Sequence, residues 1–222
     1  MREGIDSKAL DTDAAVREFE IDKPLTSLLS TTREVLLSPR RFFDELPPDG
    51  PLGAPVAYFL VCSAITAVIN VAAILTFFAV PVGIALASGS SDAGLLLRIL
   101  AVVEFASLTV LPVVFVAGFF ISVLVQHALI RLIAGRDQKG LPATLRVSCY
   151  SVGAPVAVTW IPLVGFFAFF YCFYLHTTGL RRVHKISTGR SLGAILILVA
   201  LLLALASVVG VYDYGMIREA ME

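Results

Sequence analysis

Hydrophobic positions in this chain come in long runs rather than in alternation. No Asp, Glu, Lys or Arg occurs between Pro51 and Ser91. The pattern predicts a first membrane span over about 54–80, ended near Pro81, with Gly83 to Ser91 as an outer loop. Arg98 and Glu104 bracket a short apolar helix expected at the outer interface. The charge-free run Phe105 to Gln126 has 22 residues, enough for a second span over 105–126. Val147 to Leu180 is a run of 34 residues without charge. As one helix it would measure about 51 Å, well beyond a ~30 Å hydrocarbon core. Two spans fit better, over 141–160 and 163–180, broken at Trp160-Ile161-Pro162, with Arg146 snorkelling to the inner surface. A last span covers 192–211, with Tyr212 and Tyr214 as interfacial anchors. Residues 213–222 are left as a short outer tail.

The chain before the first span has a different pattern. Residues 1–22 carry seven acids and three basic residues with little periodic hydrophobicity, which reads as a disordered acidic tail. It is too polar for a cleaved signal peptide, so the first span is expected to act as its own membrane signal. Over 23–50, Leu25, Leu28, Leu29, Thr32, Val35 and Leu36 recur at helical spacing, with Asp22 as a cap and Pro24 in the first turn. A second short helix starts at Ser38-Pro39 and puts Phe42, Phe43 and Leu46 on one side. Arg40 and Arg41 flank those aromatics. That arrangement suits a helix lying on an anionic membrane surface through Arg40, Arg41, Phe42 and Phe43. It equally suits an amphipathic helix packed on the protein's own bundle. Pro47 to Pro51 then forms a hinge into the bilayer.

Composition agrees with a membrane protein: 58% hydrophobic, 15% charged, and a mean hydropathy of +0.88. Soluble domains carry about 25% charged residues. Net charge is zero, so nucleic acid is not an expected partner. Lys and Arg distribution sets the orientation. With five spans, fifteen of the seventeen fall on one side and two on the other. Cytoplasmic loops collect Lys and Arg, so the N-terminus is expected in the cytoplasm and the C-terminus outside. A four-span layout would move the Arg181 to Arg190 cluster outside, against that rule. The expected fold class is therefore an all-α membrane protein: a five-transmembrane-helix bundle over 51–212 preceded by a cytoplasmic amphipathic segment.

The run Ser38-Pro39-Arg40-Arg41-Phe42-Phe43 before the first span resembles the N-terminal signature of the Yip1-domain family. Tyr150, Pro155, Ile161-Pro162, Gly165, Tyr171, Gly179-Leu180, His184, Ser187 and Gly189-Arg190 resemble that family's pattern from its third span to its fifth. The likeness covers about residues 25–212. Eukaryotic members are associated with vesicle trafficking and Rab-type GTPases. This sequence lacks their long N-terminal extension and their acidic-Leu-Tyr-Gly-Pro motif, and is more similar to the prokaryotic branch. The resemblance implies a scaffold or adaptor rather than a reaction.

The residues offer little for catalysis. The expected spans hold no Asp or Glu apart from Glu104 at an outer edge. There is no His-Glu-x-x-His motif, phosphate-binding loop or nucleophile elbow. Cys62, Cys149 and Cys172 fall in apolar runs without paired spacing. No metal or cofactor is expected. Polar side chains do concentrate in the inner halves of the spans: Gln126, His127, Tyr150, His176 and Thr177 among them. They would either line a water-accessible cavity open to the cytoplasm, as in a small transporter or channel, or hydrogen-bond between helices. Asn70, the one amide deep in the first span, is expected to bond across helices. Pro112, Pro155, Pro162 and Gly165 are the expected kink and hairpin positions. Expected partners are the lipid bilayer, a protein at the cytoplasmic face and a second copy of the chain. A bacterial cytoplasmic membrane is the expected location.

Overall fold

A computed structural model describes residues 18–89, 92–135 and 138–221. The proposed acidic tail therefore lies outside the described residues up to position 17. Helices α1 (Pro24–Leu37) and α2 (Pro39–Glu45) precede the long helix α3 (Gly53–Ala87). Then come α4 (Asp92–Phe105), a π-helical turn over Ala106–Val110 and α5 (Leu111–Ala134). The chain closes with α6 (Leu141–Val156), α7 (Pro162–His184) and α8 (Thr188–Met221). All regular structure among the described residues is helical.

Four stretches are long and apolar enough to cross a membrane: Gly53–Ala87, Gly94–Ala134, Leu163–His184 and Thr188–Ser207. Their surfaces are inside-out relative to a soluble protein. Phe77, Val102, Phe105, Val113, Phe166 and Leu203 are all exposed. Lipid is the solvent that such a surface requires, because a monomeric soluble protein does not expose apolar patches of this extent.

α6 is the exception among the long rods. It has 16 residues, about 24 Å, and it is wrapped by α3 and α7. Eleven of its residues are buried, among them Thr144, Arg146, Ser148 and Ser151. A helix screened from lipid by its neighbours can carry polar groups that a lipid-facing helix cannot. At 16 residues α6 is also shorter than the four long apolar helices, so it does not stand among them, although 141–160 was expected to be a span.

Several boundaries differ from the sequence reading. α3 runs through Pro81 to Ala87, so the connection outside it begins only at Ser88. Proline removes one hydrogen bond, and the flanking turns carry the helix past it. α4 does not form a separate interfacial helix: it continues through the π turn into α5 and packs along α3. The π turn ends two residues before Pro112, and the Leu111 N–H reaches back to the Ala106 carbonyl. α8 extends from 188 to Met221, through the expected outer tail. Asp22 does not cap α1. Lys23 holds that position, Pro24 follows it, and the Ser27 hydroxyl donates to the Lys23 carbonyl at 2.8 Å.

A short turn joins α6 and α7. α6 ends at Val156, residues 157–161 turn, and Pro162 opens α7. The freed Val156 carbonyl accepts from the Thr66 hydroxyl at 2.7 Å and from Thr159 at 2.8 Å. Trp160 Nε1–H donates to the Ala157 carbonyl at 2.9 Å. Pro155 has no N–H for the Ser151 carbonyl, and that carbonyl accepts instead from the Cys172 thiol at 3.5 Å. Gly165 is held tightly: its N–H donates to Ile161 at 2.6 Å, and a Cβ there would collide with the Thr159 carbonyl.

Gly165→Ala is therefore expected to destabilise the protein by roughly 1–3 kcal/mol through overpacking against backbone. Gly118→Ala, where a Cβ meets nothing within 4 Å, should be neutral or slightly stabilising. Thermal unfolding of both variants in the same detergent would check the contrast.

Candidate functional site

The candidate site lies where the N-terminal helices meet the bundle. The facing ends are the start of α3, the end of α5, the start of α6, the end of α7 and the start of α8. The N-terminal helices cap this end of the bundle.

Its centre is Arg146 on α6, which is fully buried. It does not snorkel to a surface as expected. Its Nη2 donates to both oxygens of Glu18, at 2.6 and 2.7 Å, and its Nη1 donates to the Pro51 carbonyl at 2.6 Å. The Tyr150 hydroxyl donates to the same carboxylate at 3.2 Å. Burying a guanidinium without a partner is prohibitive, so Glu18 is the group that makes this position possible. One nitrogen thus serves both carboxylate oxygens while a second serves the backbone, and these charge-assisted bonds are the strong kind. The sequence reading had placed Glu18 in the disordered tail. Its neighbour Phe19 is also buried, with its ring 5.9 Å from Tyr58.

The rest of the cap is fastened around that pair. Thr32 and Tyr58 hydroxyls bond at 2.8 Å, and the Tyr171 hydroxyl donates to the Leu36 carbonyl at 2.6 Å. Arg182 pairs with Asp44. Phe42 and Phe43 are turned inward, not onto a membrane surface. Phe42 sits edge-on to Tyr150 at 5.0 Å, and Tyr150 lies 5.2 Å from Tyr58. Phe43 fits against Gly179, where a Cβ would meet Val147 at 2.6 Å and Phe43 at 3.0 Å. The bundle offers two ring-sized apolar seats, and burial there removes more apolar surface from water than lying at an interface would. Arg40 and Arg41 remain exposed, and Arg41 pairs with Glu45.

Below the cap, polar side chains form a connected ladder containing all three histidines of the chain. Thr144 Oγ1 lies 2.9 Å from His127 Nδ1 and 3.1 Å from His184 Nε2. One hydroxyl proton cannot serve both rings, so at least one ring nitrogen donates to it. The Ser148 hydroxyl donates to the Thr144 carbonyl at 2.8 Å, and Ser148 lies 3.4 Å from Gln126 Oε1. His176 joins Gln126 Oε1 at 2.8 Å through Nε2 and Ser151 at 2.6 Å through Nδ1. Thr177 lies apart from these side chains: its hydroxyl donates to Phe173, and its carbonyl accepts from Ser191 at 2.9 Å.

Gln126, His127 and His176 are thus brought together, while Tyr150 belongs to the latch around Glu18. Sequence reasoning missed Thr144, Ser151 and the Glu18–Arg146 pair, and named His184 only within the family pattern. The one signal for the last was a lone arginine next to a 34-residue uncharged run with seven acids upstream. Ser151, His176 and Gln126 have the connectivity of a nucleophile, base and orienting group. Ser151 is fully buried and its hydroxyl is engaged, so the three act as a bolt between α5, α6 and α7. Among the described residues no cluster of three His, Cys, Asp or Glu side chains could hold a metal. Among the described residues Asn70 has no cross-helix bond: it is exposed in a groove of about 740 Å3 that also contains Ser107 and Pro112.

The Yip1 domain profile matches residues 33–210, and the chain belongs to that family of membrane proteins. It is a multi-pass membrane protein. No curated protein and no solved structure matches it.

Glu18→Ala should destabilise the protein by about 3 kcal/mol, the lower part of the range for orphaning a buried charge, because Glu18 is 24% exposed. Glu18→Ala combined with Arg146→Met should be less destabilised than Glu18→Ala alone. Denaturant titration of the three proteins in one detergent reads the difference. Cys149, fully buried beside Arg146, should resist a membrane-impermeant maleimide until the protein is denatured.

Proposed function

We propose that this protein is a non-enzymatic scaffold or adaptor of Yip1 type in a bacterial cytoplasmic membrane. It crosses the bilayer five times, with the cap in the cytoplasm and the C-terminus on the opposite side. The orientation rests on charge: counting α6 as a crossing puts fifteen of seventeen Lys and Arg at the capped end. Five rods alternating in direction, with α6 screened at the centre, are consistent with that count.

The adaptor reading is carried by one observation. α1 has two apolar faces. Leu28, Thr31 and Val35 are buried against the bundle. Leu25 and Leu29 point away and are 76% and 73% exposed, with Ile21 and Leu37 also exposed. A helix needs only one apolar face to dock on its own bundle, so the second is free for a partner. The cap is bolted down through Glu18, Tyr171 and Asp44, which presents that outer stripe on a rigid support.

The test is site-specific photo-crosslinking in native membranes. A photoreactive residue at Leu25 or Leu29 should give protein adducts, and one at buried Val35 should not. Leu25→Glu with Leu29→Glu should abolish adducts formed from position 21 without lowering thermal stability. Adducts to lipid alone would overturn the adaptor reading in favour of a surface-lying helix.

A further inference from the structure

Gln126 and His176 also line a second feature. A cavity of about 180 Å3 lies between α5, α6, α7 and α8. Its size is close to that of the roughly 150 Å3 apolar cavity that takes up benzene. Gln126, Ser148 and His176 stand at the end nearer the cap, and Phe119, Val152, Phe169 and Val199 at the other. On α5 and α7 the lining runs from Phe119 to Gln126 and from Phe169 to His176, about 10 Å along each helix. Phe169 is 60% exposed, so the apolar end reaches the lipid-facing surface.

The polar end is chemically incomplete. Gln126 is buried, and its Nε2 has no hydrogen-bond partner. The proton arrangement identifies what is missing. Ser151 lies 2.6 Å from His176 Nδ1 and 3.4 Å from the Ser148 carbonyl, and the shorter contact is assigned its proton. His176 then carries its proton on Nε2 and donates to Gln126 Oε1. The amide NH2 of Gln126, enclosed beside the cavity, is left with two free protons, and a small turn of the side chain towards the cavity would let an occupant supply the acceptor.

We propose that this cavity binds one acyl chain of a glycerophospholipid from the leaflet on the capped side. The ester carbonyl accepts from Gln126 Nε2, and the first carbons of the chain fill the apolar end. The polarity of the cavity runs the same way as that of such a lipid: polar towards the cap, apolar towards the bilayer centre. A lone water at Gln126 would satisfy the amide but leave the apolar end without an occupant.

The test uses the full-length protein in nanodiscs with two photoreactive lipids, one ester-linked and one its ether-linked analogue, which lacks the carbonyl. Mass spectrometry maps the adducts. Ester lipid should label the lining of α7 and α8 roughly five-fold more than ether lipid, the worth of about one hydrogen bond. Gln126→Leu should remove that preference. Val199→Phe, which fills the apolar end and leaves the polar ladder intact, should suppress labelling by both lipids at unchanged thermal stability. Equal labelling by the two lipids, labelling indifferent to Val199→Phe, or labelling only of the outward faces would each overturn the proposal.

Discussion

A guanidinium inside a helical bundle has to be neutralised by something, and here the neutralising group comes from far away in the chain. Arg146 sits at the start of α6 with no exposure, and Glu18 reaches it across 128 positions of sequence. The demand is one-sided. Glu18 could remain in water at no penalty, whereas Arg146 cannot remain in the bundle alone. The central helix therefore dictates where the N-terminal segment goes.

From that constraint the shape of the capped end follows. With Glu18 fixed on Arg146 and the Pro51 carbonyl on the same guanidinium, both ends of the 18–51 segment are tied to one side chain. α1 and α2 must then fold back over the helix ends between those two points. Phe42 and Phe43 fill the seats this creates, and the exposed leucines of α1 are what is left over. The histidine ladder beneath plays a similar role between helices, because in lipid there is little hydrophobic force to hold rods together and polar bonds fix their register.

Sequence periodicity made the rods legible, and proline made the hairpin legible. The uncharged run of 34 residues had to break, and Trp160-Ile161-Pro162 was where it could. Local signals did poorly wherever a neighbour took over. Pro81 looked like a helix end, yet α3 passes through it; Arg98 and Glu104 suggested an interfacial helix, yet α4 merges with α5. Arg146 was read by its distance from the membrane surface, because the carboxylate that pairs with it is remote in sequence. The inward turn of Phe42 and Phe43 was undecidable from an amphipathic pattern, since lipid and a bundle surface select the same residues. Gln126 and His176 stood out as polar groups in apolar helices, but their partners on α6 were ordinary serines and threonines.

The central claim is that residues 18–46 are part of the folded body because Arg146 requires them. Hydrogen–deuterium exchange of the full chain in nanodiscs addresses it directly. Amides of α1 and α2 should be protected for times comparable to those of α6, and Glu18→Ala should release them while α6 and α7 stay protected. Complete exchange of α1 and α2 within seconds in the unaltered protein would contradict the account.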